Sequence, residues 1–239
     1  WSEVSDLNTA RKTFAGAGSQ TATIVFGGEA PGPSTNTESW DGTSWTEVND
    51  LNTGVRSGGG FGTQTAAVAM GGFDPSPARS NVTETWNGTS WTTSPNSLPA
   101  ANQNMTGMGT QTAGVSFGGD NPSVPNIGTS TNDWDGTSWT SSGSLNSSSN
   151  SGSSSGTQTD GLAYAGDYSG TTEGYDGRTW STRPSMATGR SSAAGLMQNS
   201  TSTAGLAAGG YNPPGGDQNA TEEFTGETTS INIESVDNS

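Results

Sequence analysis

The stretch Trp40-Asp41-Gly42-Thr43-Ser44-Trp45 returns as Trp86-Asn87-Gly88-Thr89-Ser90-Trp91 and again as Trp134-Asp135-Gly136-Thr137-Ser138-Trp139. Asp-Gly or Asn-Gly between aromatic residues is a strong hairpin signal, because a tight turn asks its central residues for positive φ and these residues tolerate it. Each copy therefore predicts a hairpin between the third and fourth strands of a repeat. Two degenerate copies follow, Tyr175-Asp176-Gly177-Arg178-Thr179-Trp180 and Phe224-Thr225-Gly226.

Upstream of each hairpin stands a Gln-centred triplet: Ser19-Gln20-Thr21, Thr63-Gln64-Thr65, Thr110-Gln111-Thr112, Thr157-Gln158-Thr159 and the decayed Thr201-Ser202-Thr203, 44 to 47 residues apart. Each triplet leads into a short apolar run that ends at a small pair, Gly27-Gly28, Gly71-Gly72, Gly118-Gly119, Ala165-Gly166 or Gly209-Gly210. The runs read as buried second strands with unequal faces. One face carries Ile24/Phe26, Val68/Met70, Val115/Phe117, Leu162/Tyr164 and Leu206, and the other carries only Gly, Ala, Ser and Thr or Val. Large faces meeting small faces around an axis would close without voids. The fold class expected is all-β: a five-bladed β-propeller of four-stranded antiparallel blades, forming a single domain over residues 1–239.

Trp1, Trp45, Trp91, Trp139 and Trp180 supply five second aromatics for the five small pairs. The ring is expected to be closed by the N-terminal strand, with residues 1–5 completing blade 5 and removing an open edge. The competing assignment takes the last strand from residues 228–233. Residues 141–156 look like a Ser/Gly linker but align with the outer-strand part of other repeats, so they read as a worn blade edge.

Composition narrows the functions. The chain has 22 acidic and seven basic residues, a net charge of −15, and no cationic stripe to neutralise phosphates. Nucleic acid and anionic membrane are excluded as expected partners, and no apolar run approaches a membrane span. With no Cys and no His, thiol nucleophiles, disulfides, imidazole bases and the usual zinc ligands are absent together. No cofactor, no metal and no catalytic residue is expected.

A small pair after an apolar strand, an aromatic downstream and a Trp five residues later together resemble kelch repeats over nearly the whole chain. The tight Asp-Gly-Thr-Ser turn and the Gly-Thr-Gln-Thr signature depart from that pattern. That wording, with the closing Glu223-Phe224-Thr225-Gly226-Glu227-Thr228-Thr229-Ser230-Ile231-Asn232, resembles repeats of virion-associated proteins of marine and cyanobacterial tailed phages. The resemblance implies a non-enzymatic structural and recognition module of a tail appendage or capsid surface, located on a virion or extracellularly. Its implied partners are other virion proteins or host-surface glycans, with self-association inside an assembly. The alternatives are a secreted or cell-surface bacterial adhesin or lectin and, third, a polysaccharide-acting propeller hydrolase.

A recurring residue two before the first aromatic, Glu38, Glu84, Asn132, Glu173 and Glu222, suggests calcium ligands or glycosidase carboxylates. Its repetition in every blade favours a structural role, with Arg11, Arg56 and Arg190 as partners. The repeated Trp residues likewise read as blade core. What varies between repeats is the loop after the small pair: residues 29–36, 73–81, 120–130, 167–170 and 211–219. Variable loops on a fixed frame are where recognition tends to reside. The candidate ligand-binding residues are Glu29, Phe73, Asp74, Asp120, Asn121, Asp167, Tyr168, Tyr211 and Asn212, a mixture of acids, amides and aromatics suited to glycans.

Overall fold

A computed structural model describes residues 3–76, 78–195 and 201–226. Blade 1 is β1 (Ala15–Ser19), β2 (Ala22–Phe26), β3 (Thr37–Trp40) and β4 (Trp45–Val48). Blade 2 is β5 (Gly59–Thr63), β6 (Ala66–Met70), β7 (Thr83–Trp86) and β8 (Trp91–Thr93). Blade 3 is β9 (Thr106–Thr110), β10 (Ala113–Phe117), β11 (Thr131–Trp134) and β12 (Trp139–Ser141). Blade 4 is β13 (Ser153–Gly156), β14 (Gly161–Tyr164), β15 (Thr172–Tyr175) and β16 (Trp180–Arg183). All four are antiparallel sheets with strands in chain order. In blade 5, β17 (Ala194–Gly195), β18 (Ala204–Ala208) and β21 (Thr221–Thr225) pair in sequence, with a side hairpin of β19 (Tyr211–Asn212) and β20 (Gly216–Asp217).

The architecture is the expected all-β, five-bladed propeller. The expected closing strand, residues 1–5, falls partly outside the described residues, which omit Trp1 and Ser2. Residues 3–5 form no strand, and the alternative segment 228–233 lies outside the described residues altogether.

The hairpin signal was right about place and wrong about turn type. Trp40 pairs with Trp45, leaving a four-residue loop in which only Gly42 is left-handed, at φ 96°. Asp41 stabilises the loop differently. Its carboxylate accepts the backbone N–H groups of Thr43 and Ser44, both at 2.8 Å, and the Thr43 hydroxyl. These bonds to its charged form hold its pKa down to about 2.

Large-on-small packing joins the blades. A methyl at Gly60 would strike Phe26 of blade 1, one at Gly114 would strike Phe61 of blade 2, and one at Gly161 would strike Met108 of blade 3. At the three outer seams from blade 1 to blade 4 an indole fills the space: Trp91 with Phe26 and Leu51, Trp139 with Met70 and Leu98, Trp180 with Phe117 and Leu145. Burying an aromatic of this size contributes about 2–3 kcal/mol each. In blades 2, 3 and 4 the Gln of the triplet ties the blade to the one before. Gln111 Nε2 donates to the Trp86 and Ala67 carbonyls, and Gln158 Nε2 to those of Trp134 and Gly114. Ser202, which replaces Gln in blade 5, is bound through its backbone N–H to Asp160 at 3.1 Å.

At the entry to each innermost strand stands a left-handed residue: Thr13, Ser57, Asn104, Ser151 and Ser192, with φ between 53° and 55°. The N–H of Ser57 donates to the Thr13 carbonyl, Asn104 to Ser57, Ser151 to Asn104 and Ser192 to Ser151, at 2.7 to 3.0 Å. Bonds of this kind run from blade 1 to blade 5. Among the described residues no hydrogen bond joins blade 5 back to blade 1.

The recurring acid is a clamp on the incoming chain. Glu84, buried, accepts the Asn52 N–H (2.9 Å), the Asn52 side-chain amide (2.8 Å) and the Thr53 N–H (2.9 Å). Glu173 takes the same three bonds from Asn146 and Ser147. Glu38 takes them from Asn8 and Thr9 and adds an ion pair with Arg11, both side chains being sealed from solvent. Arg190 and Glu222 form the corresponding pair in blade 5. Arg56 does not pair with Glu84 as expected. It lies one residue farther from its Asn than Arg11 does from Asn8, and that step turns it outward to the loop face.

Candidate functional site

Strand direction decides the site. Each β-sheet enters at one face, turns at the Gln triplet on the other, returns to the small pair and leaves through the variable loop. All five variable loops therefore emerge beside the interblade connections, as isolated bridges record: Lys12 with Glu29, Arg56 with Phe73, Gln103 with Asp120, Ser191 with Tyr211. The hairpin turns and Gln triplets occupy the opposite face.

The structure sorts the nine candidate residues into groups. Glu29 receives Arg56 at 3.4 Å and Lys12 at 3.7 Å, and the Arg56 guanidinium lies 4.7 Å over the Phe73 ring. Glu29 and Phe73 are thus bound into one bridge by a cation. Asp74 organises its own loop by accepting the Ser76 hydroxyl and N–H, and these bonds lower its pKa. Asn212 is spent on the Gly189 carbonyl.

Asp120, Asn121 and Asp167 come together. They border an open cleft of about 410 Å³ between the loops of blades 3 and 4, with Asn126, Ser148 and Asn150. Asp120 is braced by Arg79 (2.8 Å) and by the Gln103 amide (3.1 Å). The Arg79 bond lowers its pKa against the opposing effect of partial burial, so the cleft holds a carboxylate at neutral pH. Asn121 keeps its carbonyl on the Ser123 N–H and its amide on the Ala101 carbonyl.

Asp167 and Tyr168 are the central residues of a tight turn, Gly166 to Ser169, closed by a 2.8 Å bond from the Ser169 N–H to the Gly166 carbonyl. Both sit at positive φ, 47° and 59°. A tyrosine there is uncommon and carries a strain of about 1 kcal/mol or more. The turn holds the Tyr168 ring 49% exposed, edge to face with Tyr211, itself 41% exposed, at 5.9 Å. Cleft and aromatic pair are contiguous through the 167–168 peptide.

Sequence reasoning missed Arg79, Asn126, Ser148 and Asn150. Arg79 and Asn126 were visible as polar residues of two variable loops. Ser148 and Asn150 lie in the worn Ser-rich stretch, where nothing marks them apart from their neighbours. Among the described residues no three Asp or Glu side chains converge on a point that would hold a metal ion.

No family model matches the chain, and no curated protein matches it. Solved structures do. The structure of YjhT, a propeller, superposes with a TM-score of 0.74 over 92% of this chain and 82% of its own, at 12% identity. The likeness is one of fold. It supports the propeller and carries nothing about a ligand.

Proposed function

We propose that the chain is a non-enzymatic recognition module that binds glycans on a host surface through the face of the variable loops. One observation carries the reading: a carboxylate-and-amide cleft continuous with two exposed, edge-to-face tyrosines, one of them held in a strained turn. Sugars present hydroxyls to acids and amides and apolar C–H faces to aromatic rings, so the arrangement matches their chemistry. The strain at Tyr168 fits a residue kept for contact, since glycine would serve the turn better.

The placement on a phage particle, on a tail appendage or the capsid surface, is supported by the wording of the repeats. A chain without Cys or His, built on repeated structural carboxylates, suits display and binding more than chemistry.

The test is a glycan array and calorimetry with the purified protein, the Tyr168→Ala and Asp120→Asn variants, and Asp41→Asn on the opposite face. Specific binding that both loop variants weaken at least tenfold, with Asp41→Asn unchanged, is the expected result. Binding that survives both loop substitutions would remove the site. Mass spectrometry of virions and culture supernatant from the source tests the location: recovery at a fixed ratio to the capsid protein supports it, and recovery in supernatant alone overturns it.

A further inference from the structure

Two residues before the left-handed residue that opens each blade stand Arg11, Val55, Asn102, Ser149 and Arg190. In blades 1 and 5 the arginine fills one constant nest of oxygen atoms. Arg11 donates to the carbonyls of Thr9 (3.4 Å), Gly27 (3.3 Å) and Asn36 (2.6 Å) and to the Glu38 carboxylate. Arg190 donates to the carbonyls of Thr188 (3.2 Å), Gly209 (3.2 Å) and Ala220 (2.8 Å) and to Glu222. The nest therefore gathers three main-chain carbonyls and one carboxylate around a single positive charge.

The other blades treat the nest differently. Blade 2 closes it with Val55, whose side chain packs on the cluster of Leu51 and Phe26. Blade 3 drops the charge, with Asn132 in place of the acid, and Asn102 donates to the Gly118 carbonyl at 2.8 Å. Blade 4 keeps the acid, Glu173, only 3% exposed, but puts Ser149 where the arginine would stand. The strand register makes Ser147, Ala165 and Thr171 the counterparts of Thr9, Gly27 and Asn36. Among the described residues no backbone N–H donates to any of these three carbonyls. With Ser149 and Glu173 they line a cavity of about 10 Å³, the size of one water, which reaches the surface beside the exposed Ser148.

We infer that this cavity of blade 4 is a cation site, taking K⁺ or Na⁺ in the place that blades 1 and 5 give to a guanidinium. Its donors are all oxygens, which selects a hard cation. Main-chain carbonyls can replace the hydration shell of an alkali ion, and a single carboxylate balances one charge where calcium loops gather several. A carboxylate sealed as Glu173 is gains from a countercharge beside it. Because one acid and three main-chain oxygens form no cluster of acidic side chains, the sequence raises no expectation of a metal here.

The experiment is thermal melting of the full chain in potassium, sodium and choline chloride at equal ionic strength, choline being too large for the cavity. Potassium or sodium is expected to raise Tm over choline by about 2–4 °C once the ion exceeds its dissociation constant severalfold. Ser149→Arg, which supplies the guanidinium of blades 1 and 5, and Glu173→Gln, which removes the charge, should each abolish that difference. Broadening of the sodium NMR line by the wild-type chain, lost in both variants, reports the same site directly. Equal melts in the three salts would assign the cavity to water and overturn the inference. A difference that persists in the variants places the cation elsewhere and overturns it as well. Should Ser149→Arg fail to fold, Glu173→Gln decides alone, since it leaves no guanidinium unpaired.

Discussion

Glu38→Gln tests the central energetic claim, that the recurring acid clamps chain to blade. Glu38 and Arg11 are both sealed from solvent, and the carboxylate accepts three bonds from Asn8 and Thr9 besides the ion pair. The amide removes the charge and turns an N–H₂ toward donors, leaving a buried guanidinium without its counterion. Breaking one partner of such a pair costs about 3–5 kcal/mol. Arg11→Met is milder, about 1–3 kcal/mol, because the carboxylate retains the Asn8 and Thr9 bonds. In a chain of this size Glu38→Gln lowers Tm by roughly 6–20 °C. Urea unfolding followed by tryptophan fluorescence measures both losses. The pH dependence has a definite sign. Burial would raise the Glu38 pKa, but the bonds from Asn8, Arg11 and Thr9 outweigh it and leave it below the ordinary carboxylate value. Its stabilisation is therefore complete above the unfolded-state pKa and is lost as pH falls through the lowered folded value. The gap between wild type and Glu38→Gln narrows as pH falls below 4.5, the ordinary value. A loss under 1 kcal/mol at pH 7, or a gap that does not change with pH, would refute the clamp.

Trp91→Phe keeps the ring against Phe26 but removes the donor to Thr37, and should cost about 1–3 kcal/mol in the same unfolding assay. Asp133 is raised in pKa by burial, against the hydrogen bonds of Ser142 and Tyr175. Its ionisation thus penalises the fold as pH rises through the folded value, and Asp133→Asn should gain stability at pH 7 relative to its effect at pH 3, read from paired melts. Gly118 is left-handed at φ 67° and a methyl there would strike the Ser149 carbonyl, whereas Gly42 at φ 96° has room. Gly118→Ala should therefore cost at least 2 kcal/mol more than Gly42→Ala by urea unfolding. Tyr168→Gly relieves the strained turn and should raise stability by about 1 kcal/mol while abolishing glycan binding, a trade checked by calorimetry beside a thermal melt.

The strands were legible because their signals are local. A two-residue period with Phe26, Met70, Phe117 and Tyr164 on one side, and Gly, Ala or Ser, or in blade 1 Thr23 and Val25, on the other, states which face is large before any neighbour is known. The aromatic pairs of the hairpins, and the period of 44 to 47 residues between Gln triplets, then count the blades. The turn type was less legible. Asp-Gly alone suggests two left-handed residues, but the strand register spaces Trp40 and Trp45 across four residues, and the Asp41 side chain closes the loop instead.

Sequence by itself determined the repeat, the strands and the side of the frame on which the variable loops emerge, because each depends on residues a few positions apart. Tertiary structure alone decided which loops meet. Asp120 and Asp167 share a cleft, Tyr168 faces Tyr211 and Arg79 braces Asp120 only because neighbouring blades bring segments about 40 residues apart side by side. It also separated Arg11 from Arg56, two residues at nearly the same repeat position. One step along an extended chain carries a side chain from a buried carboxylate to the surface.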